Sequence, residues 1–252
     1  MFGHSLRVAV PGPARLALFL TAWLIYLSDR FADAMSLSDH APKSARETFC
    51  RKHQHIWLGL MLIVAILDGI VVFDWLDWET VRRGIFLALI AGGYLAINLR
   101  FGRLWRIFPV KEICVGFLFA SGTLLALVPH LRIARSTINV AAGLFASLCA
   151  LNCISIAAWE RDLDLEQHKN SIATKCPRIQ IWAESLLIVL ACSSALLAFA
   201  DPSLSVLAVC LGASSALLFV LHFLSITRDS QTALADLVLL TPFVLFAVEY
   251  LM

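Results

Sequence analysis

Apolar residues run through this chain in long unbroken stretches separated by short polar connections. The stretches cover residues 13–34, 56–73, 84–99, 109–129, 136–159, 179–200, 204–226 and 233–251. None alternates with the period of two that marks a half-buried strand. A helix needs roughly 20 mostly apolar residues to cross a bilayer, with latitude for tilt, and lipid-exposed sheet edges do not occur there. The pattern therefore predicts an all-α chain: a polytopic transmembrane helical bundle of about eight helices, forming a single domain over 1–252. The 84–99 stretch is short and carries Gly92-Gly93.

Composition sharpens this picture. The chain is 60% hydrophobic and 15% charged, with a mean hydropathy of +0.82, against about 45–50% apolar and about 25% charged in soluble domains. So much apolar surface cannot all be hidden within 252 residues, so lipid is its natural solvent. A multi-pass protein of a cell (inner) membrane is expected, with no nucleic-acid partner.

Basic residues collect in short cytoplasmic loops. Sorted by alternate connections, fourteen of the 20 Lys and Arg fall on one side. They are Arg30, Lys43, Arg46, Arg51 and Lys52, then Arg100, Arg103, Arg106 and Lys111, then Arg161, Lys169, Lys175 and Arg178, and finally Arg228. Connections one, three, five and seven are thus expected in the cytoplasm, with both termini outside. Ala32-Asp33-Ala34 fits a signal-peptidase pattern, but Asp29, Arg30 and Asp33 crowd it and argue against cleavage. The seven cysteines are scattered and give no disulfide framework. Their redox state stays open. His53 and His55, beside Arg51 and Lys52, read as polar loop residues rather than as metal ligands.

Two acidic clusters carry the candidate chemistry, both at expected cytoplasmic helix ends. Ser28-Asp29-Arg30-Phe31-Ala32-Asp33 closes the first apolar stretch. Trp159-Glu160-Arg161-Asp162-Leu163-Asp164 closes the fifth. Asp29 and Asp33, like Glu160 and Asp164, are four apart and share a helix face, with Asn152 two turns before Glu160. Facing pairs of carboxylates repel unless something positive sits between them. Hard cations such as Mg²⁺ take oxygen ligands, often one or two carboxylates plus substrate phosphates. The cytoplasmic bases offer partners for the remaining phosphate oxygens, and the apolar bundle offers room for an alkyl chain. Asp29, Asp33, Glu160 and Asp164 are the expected metal ligands, with Asp162 in reserve. The plainer alternative is that these are ordinary membrane–water interface residues. Asp68 and Asp236 stand out among the other acids in apolar stretches, where charge is costly. Glu112, Glu184, His222 and Glu249 lie near stretch ends.

These residues resemble the UbiA superfamily of intramembrane prenyltransferases. Asp29-Arg30-Phe31-Ala32-Asp33 matches the second half of that family's first aspartate-rich motif. Glu160-Arg161-Asp162-Leu163-Asp164 with Lys169-Asn170-Ser171-Ile172-Ala173 resembles its second. Leu99 to Arg106, leading to Pro109-Val110-Lys111, resembles its basic stretch. The family usually has nine helices, with motifs ending the second and sixth. Here they end the first and fifth, as if the usual first helix were absent. Ile25 and Tyr26 stand where the family has Asn-Asp, Pro42 to Arg46 where it has an Arg-Pro element, and Glu160 where it has Asp. The resemblance implies Mg²⁺-dependent transfer of an isoprenyl group from an isoprenyl diphosphate to a lipophilic or aromatic acceptor. Asp29, Asp33, Glu160 and Asp164 would be catalytic, and Arg100, Arg103, Lys169 and Asn152 would bind substrate. Two alternatives remain. One is a non-catalytic helical bundle, either a small-molecule transporter or a scaffold. The other is a same-family enzyme using a sugar-phosphate donor. Acceptor, prenyl length and oligomeric state are not readable from the sequence.

Overall fold

The computed structural model describes residues 2–5, 8–37, 42–100, 110–125, 127, 136–168 and 171–241. They form helices α1 (Phe2–Ser5), α2 (Gly12–Ser36), α3 (Ala45–Lys52), α4 (Gln54–Trp75), α5 (Trp78–Arg100) and α6 (Val110–Leu125). The second half adds α7 (Ser136–Trp159), α8 (Arg161–Glu166), α9 (Ile172–Lys175), α10 (Ile179–Ala200), α11 (Ser205–Leu221) and α12 (Arg228–Val238). No strand occurs among the described residues. The predicted apolar stretches are largely helical where they are described, but the 204–226 stretch leaves the helix after Leu221, and 127 and 239–240 are turns. The part of the last stretch beyond Thr241 lies outside the described residues.

Among the described residues, four segments are long and apolar enough to cross a membrane: 54–75, 137–159, 179–200 and 202–221. α2 carries Arg15, Asp29, Arg30 and Asp33, and α6 is described over only 16 residues. α4 has the highest hydropathy of the four, yet only 11% of its apolar window is buried within the protein. Leu62, Ile63, Ile66 and Phe73 project outward from it, each more than half exposed. A helix apolar all round with its large side chains outward matches lipid rather than water as its surroundings.

The ends of the helices follow from local chemistry. Asp77 opens α5: its carboxylate accepts from the Thr80 backbone N–H at 2.8 Å and from the Thr80 hydroxyl at 2.8 Å. The backbone bond leads in holding this carboxyl below the usual carboxylate range, as expected for an N-cap acid. Ser44 and Glu47 form a reciprocal capping box at the start of α3. The α2 C-terminus is closed by Arg51, whose guanidinium donates to the carbonyls of Ala34 at 3.0 Å and Leu37 at 2.5 Å.

Two apolar cores result. The larger joins α7, α10, α11 and α12 through Leu148, Leu187, Leu207, Leu211 and Leu218, with Ala235 from α12. The smaller joins α2 and α4 through Leu20, Leu27, Val64 and Val71. α7 lies at the centre, flanked by α6 and α10. At its N-terminal end Thr137 donates to Asp201 at 2.9 Å, tying it to the end of α10. The α6–α7 contact depends on Gly116, where a Cβ would fall on the Ala146 carbonyl oxygen and 3.1 Å from the Ala150 Cβ. Gly116→Ala should therefore force the two helices apart, at an overpacking cost of about 1–3 kcal/mol. A thermal melt in detergent measures this. An unchanged melting temperature would show that the two backbones are not in this contact.

Candidate functional site

Helix α3 links the carboxyl ends of α2 and α7: its Arg51 bonds the end of α2 and its Arg46 pairs with Glu160. Arg30 is one residue past Asp29 on α2, so its side chain starts beside both motif aspartates. Its guanidinium lies in the field of Asp29 and Asp33 on its own helix and of Glu160 from α7. The Tyr26 ring, one turn earlier, supports it with the guanidinium carbon 5.4 Å from the ring centroid, a cation–π distance. Arg30 Nε is buried without a hydrogen-bond partner.

Glu160 sits at the break between α7 and α8, where the helix interrupts for one residue. Its carboxylate accepts from Arg46 of α3 at 3.0 Å. The backbone nevertheless keeps its helical spacing, since the Asp164 N–H donates to the Glu160 carbonyl at 2.9 Å. Asp164 is buried and Asp162 exposed, so the reserve ligand faces away from the cluster. Arg161 also turns away, donating to the Ala173 carbonyl at 3.1 Å.

The chain closes over this place from above. Gln167 Nε2, just after α8, donates to the Pro42 carbonyl at 2.8 Å and to Glu47 at 2.9 Å. Glu47 is itself buried. With the Arg46–Glu160 pair, these bonds fasten the α2–α3 connection to the α7–α8 break. Asp236 of α12 lies close to Tyr26 and Asn152 and is acted on by both Arg30 and Arg46. Asn152 is 3% exposed, and its Oδ1 is buried without a donor. Tyr94 of α5 is buried on a further side, within the electrostatic reach of Asp29 and Asp33.

Asp29, Asp33 and Glu160 all act on Arg30, and Arg30 and Asn152 both act on Asp236. Arg103 and Lys169 lie outside the described residues, as does the side chain of Arg100. Sequence reasoning placed Arg46 among possible phosphate partners but missed Arg30, Tyr26 and Tyr94 as components. Asp236 carried a signal, a lone acid within an apolar stretch, but nothing in the sequence gave its address.

The cluster suits a hard divalent cation by the chemistry of its donors. They are carboxylate oxygens, with the orphaned Asn152 oxygen beside them, and hard cations select such ligands. Among the described residues, however, no three His, Cys, Asp or Glu side chains converge on one point. The two guanidiniums hold the acids apart. Planar guanidinium groups are themselves strong bidentate partners for phosphate, so the same cluster contains anion-binding and cation-binding groups. None of the seven cysteines forms a disulfide.

Comparison with protein-family models, with curated protein sequences and with solved structures found no match to this chain.

Proposed function

We propose that this chain is an intramembrane prenyltransferase-like enzyme, resembling the UbiA superfamily in its two acidic motifs. It would transfer an isoprenyl group from an isoprenyl diphosphate to a lipophilic or aromatic acceptor. The observation that carries this reading is the shared guanidinium: Arg30 feels Asp29 and Asp33 from one motif and Glu160 from the other. Motifs more than 120 residues apart therefore serve one place, at one end of a bundle with membrane-spanning helices.

In the reaction, the bond between the allylic carbon and the diphosphate oxygen breaks, and the diphosphate leaves with the electron pair. The acceptor forms the new bond and releases a proton. Arg46 is part-exposed and exchanges Glu160 for a phosphate oxygen, while Arg30 holds the leaving group's charge from beneath. Arg100, Arg103 and Lys169 are the further phosphate partners. Asp29, Asp33, Glu160 and Asp164 would hold Mg²⁺, which when bound supplies electrostatic neutralisation of the departing diphosphate. A cleft of about 190 Å³ between α6 and α7, lined by Phe117, Ala120, Leu124 and Ala146 with the polar Ser121 and Asn139, offers a partly apolar slot. At 1.5 Å per residue, Ala146 is about 9 Å along α7 from Asn152.

One observation favours the non-catalytic alternative. Arg30 and Arg46 already compensate part of the acidic charge, so the cluster is stable as a purely structural network. Binding separates the two readings. Isoprenyl diphosphates of increasing length are titrated into the purified protein with Mg²⁺ or with a chelator. The enzyme reading expects tighter binding with Mg²⁺. It also expects affinity to rise with chain length, since each buried CH₂ contributes about 0.8 kcal/mol, until the slot is full. Affinity indifferent to both metal and length supports a transporter or scaffold.

A further inference from the structure

Next to the acidic cluster, along α7, three helices meet at a buried imidazole. His222 follows the last residue of α11, and its side chain has no solvent exposure. Its Nε2 is 3.0 Å from the hydroxyl of Ser155 on α7, a residue that is fully buried. Its Nδ1 has no hydrogen-bond partner and is 3.8 Å from the Glu184 carboxylate of α10. The Trp159 ring lies against the imidazole, centroids 4.9 Å apart. Glu184 accepts a hydrogen bond from Gln180 at 3.0 Å and is 22% exposed, so it connects the ring to the loop end of the bundle. α12 approaches with the uncharged Gln231, which donates to the Leu221 carbonyl at 3.3 Å, while its Arg228 and Asp229 are exposed. Among the described residues, Glu184 is the charged group acting on the ring.

The spacing has a chemical reading. With its hydrogen on Nε2 and donated to Ser155, a neutral imidazole presents the Nδ1 lone pair to a carboxylate, and the two stand apart. A 3.8 Å separation is too long for a hydrogen bond. Adding a proton to Nδ1 turns that face into a cationic donor. We propose that His222 is a proton-binding switch: protonation on Nδ1 draws Glu184 into a charged hydrogen bond and clamps α10 to the end of α11. The proton comes from solvent by way of Glu184. A helix C-terminus also favours a cationic imidazole. Because Ser155 sits one turn after Asn152 on α7, the clamp borders the acidic cluster without sharing its residues.

Burial pushes the imidazole below its ordinary value, and Glu184 pulls it part of the way back. The folded protein therefore keeps His222 neutral to lower pH than the unfolded chain does. Stability from this group is present above the ordinary histidine value of about 6.5 and is lost as pH falls towards the folded value.

Trp159 makes the switch directly observable, because an imidazolium against an indole quenches its fluorescence. Intrinsic fluorescence of the full chain in detergent is titrated from neutral to acidic pH. The wild type should show a quenching phase with its midpoint below the ordinary histidine value. His222→Gln should abolish that phase. Glu184→Gln, which keeps shape but removes the charge, should move the midpoint to lower pH. Trp159→Phe provides a second route if His222→Gln does not fold, since removing the reporter should delete the same phase while His222 remains. Superimposable curves for the wild type and either of His222→Gln or Trp159→Phe would overturn the proposal. So would a Glu184→Gln midpoint that is unchanged or raised.

Discussion

Arg30→Gln is expected to destabilise the protein by roughly 3 kcal/mol, the lower end of the range for removing one partner from a buried charge cluster. The substitution leaves Asp29, Asp33 and Glu160 around a place that has lost its cation, with Arg46 alone to offset them. Repulsion between these carboxylates, not lost packing, dominates, because glutamine keeps much of the side chain's length. Arg30→Lys keeps the charge and should cost far less. The same reasoning gives a metal signature. Once the guanidinium is gone, the acids lack a counter-charge that Mg²⁺ can supply, so the ion should raise the melting temperature of Arg30→Gln more than that of the wild type. Melting curves of the three proteins in detergent, with and without Mg²⁺, test both points. If Arg30→Gln melts like the wild type and gains nothing from Mg²⁺, the two acidic motifs do not share a site.

Neutralising the motif acids themselves should act on binding more than on folding. Asp33→Asn and Asp164→Asn keep size and hydrogen-bonding capacity while each removes one negative charge. Either change should weaken Mg²⁺-dependent binding of an isoprenyl diphosphate at least about tenfold, roughly 1.4 kcal/mol. Together they should fall short of the summed losses, because ligands of one ion couple. Asp162 is exposed, so Asp162→Asn is expected to leave binding unchanged although it lies within the same motif. Asp74, exposed near the far end of α4, provides a control outside the cluster. Equal behaviour of all four variants in an isothermal titration would reduce the resemblance to ancestry without the chemistry.

Much of the helical framework was legible because apolar stretch length and local capping are both written in consecutive residues. The stretch at 179–200 coincides with α10, and that at 136–159 with α7. α5 begins six residues before its apolar stretch because Asp77 caps a polar first turn, a signal that hydropathy alone passes over. The Ser44–Glu47 capping box of α3 was equally present as a serine three residues ahead of a glutamate, in a connection read only for its charge. Eight stretches were expected to span, and four meet the length and hydropathy requirement among the described residues.

The acids at 29, 33, 160 and 164 were singled out by spacing, since four residues along a helix put two side chains on one face. What lies between them was not. Arg30 and Arg46 had a visible charge but no visible destination, and Asp236 joins Tyr26 and Asn152 from sequence positions 210 and 84 residues away. His222 and Glu184 each looked like an ordinary residue near a stretch end, and Ser155 like a packing residue. They form a unit only because α7, α10 and α11 pack together. By itself the sequence determined which segments become helices and which helix faces carry charge, because both depend on near neighbours in the chain. Only the tertiary structure decided which charges meet, because a side chain's partner across a bundle is set by helix order, rotation and depth, and none of these is local.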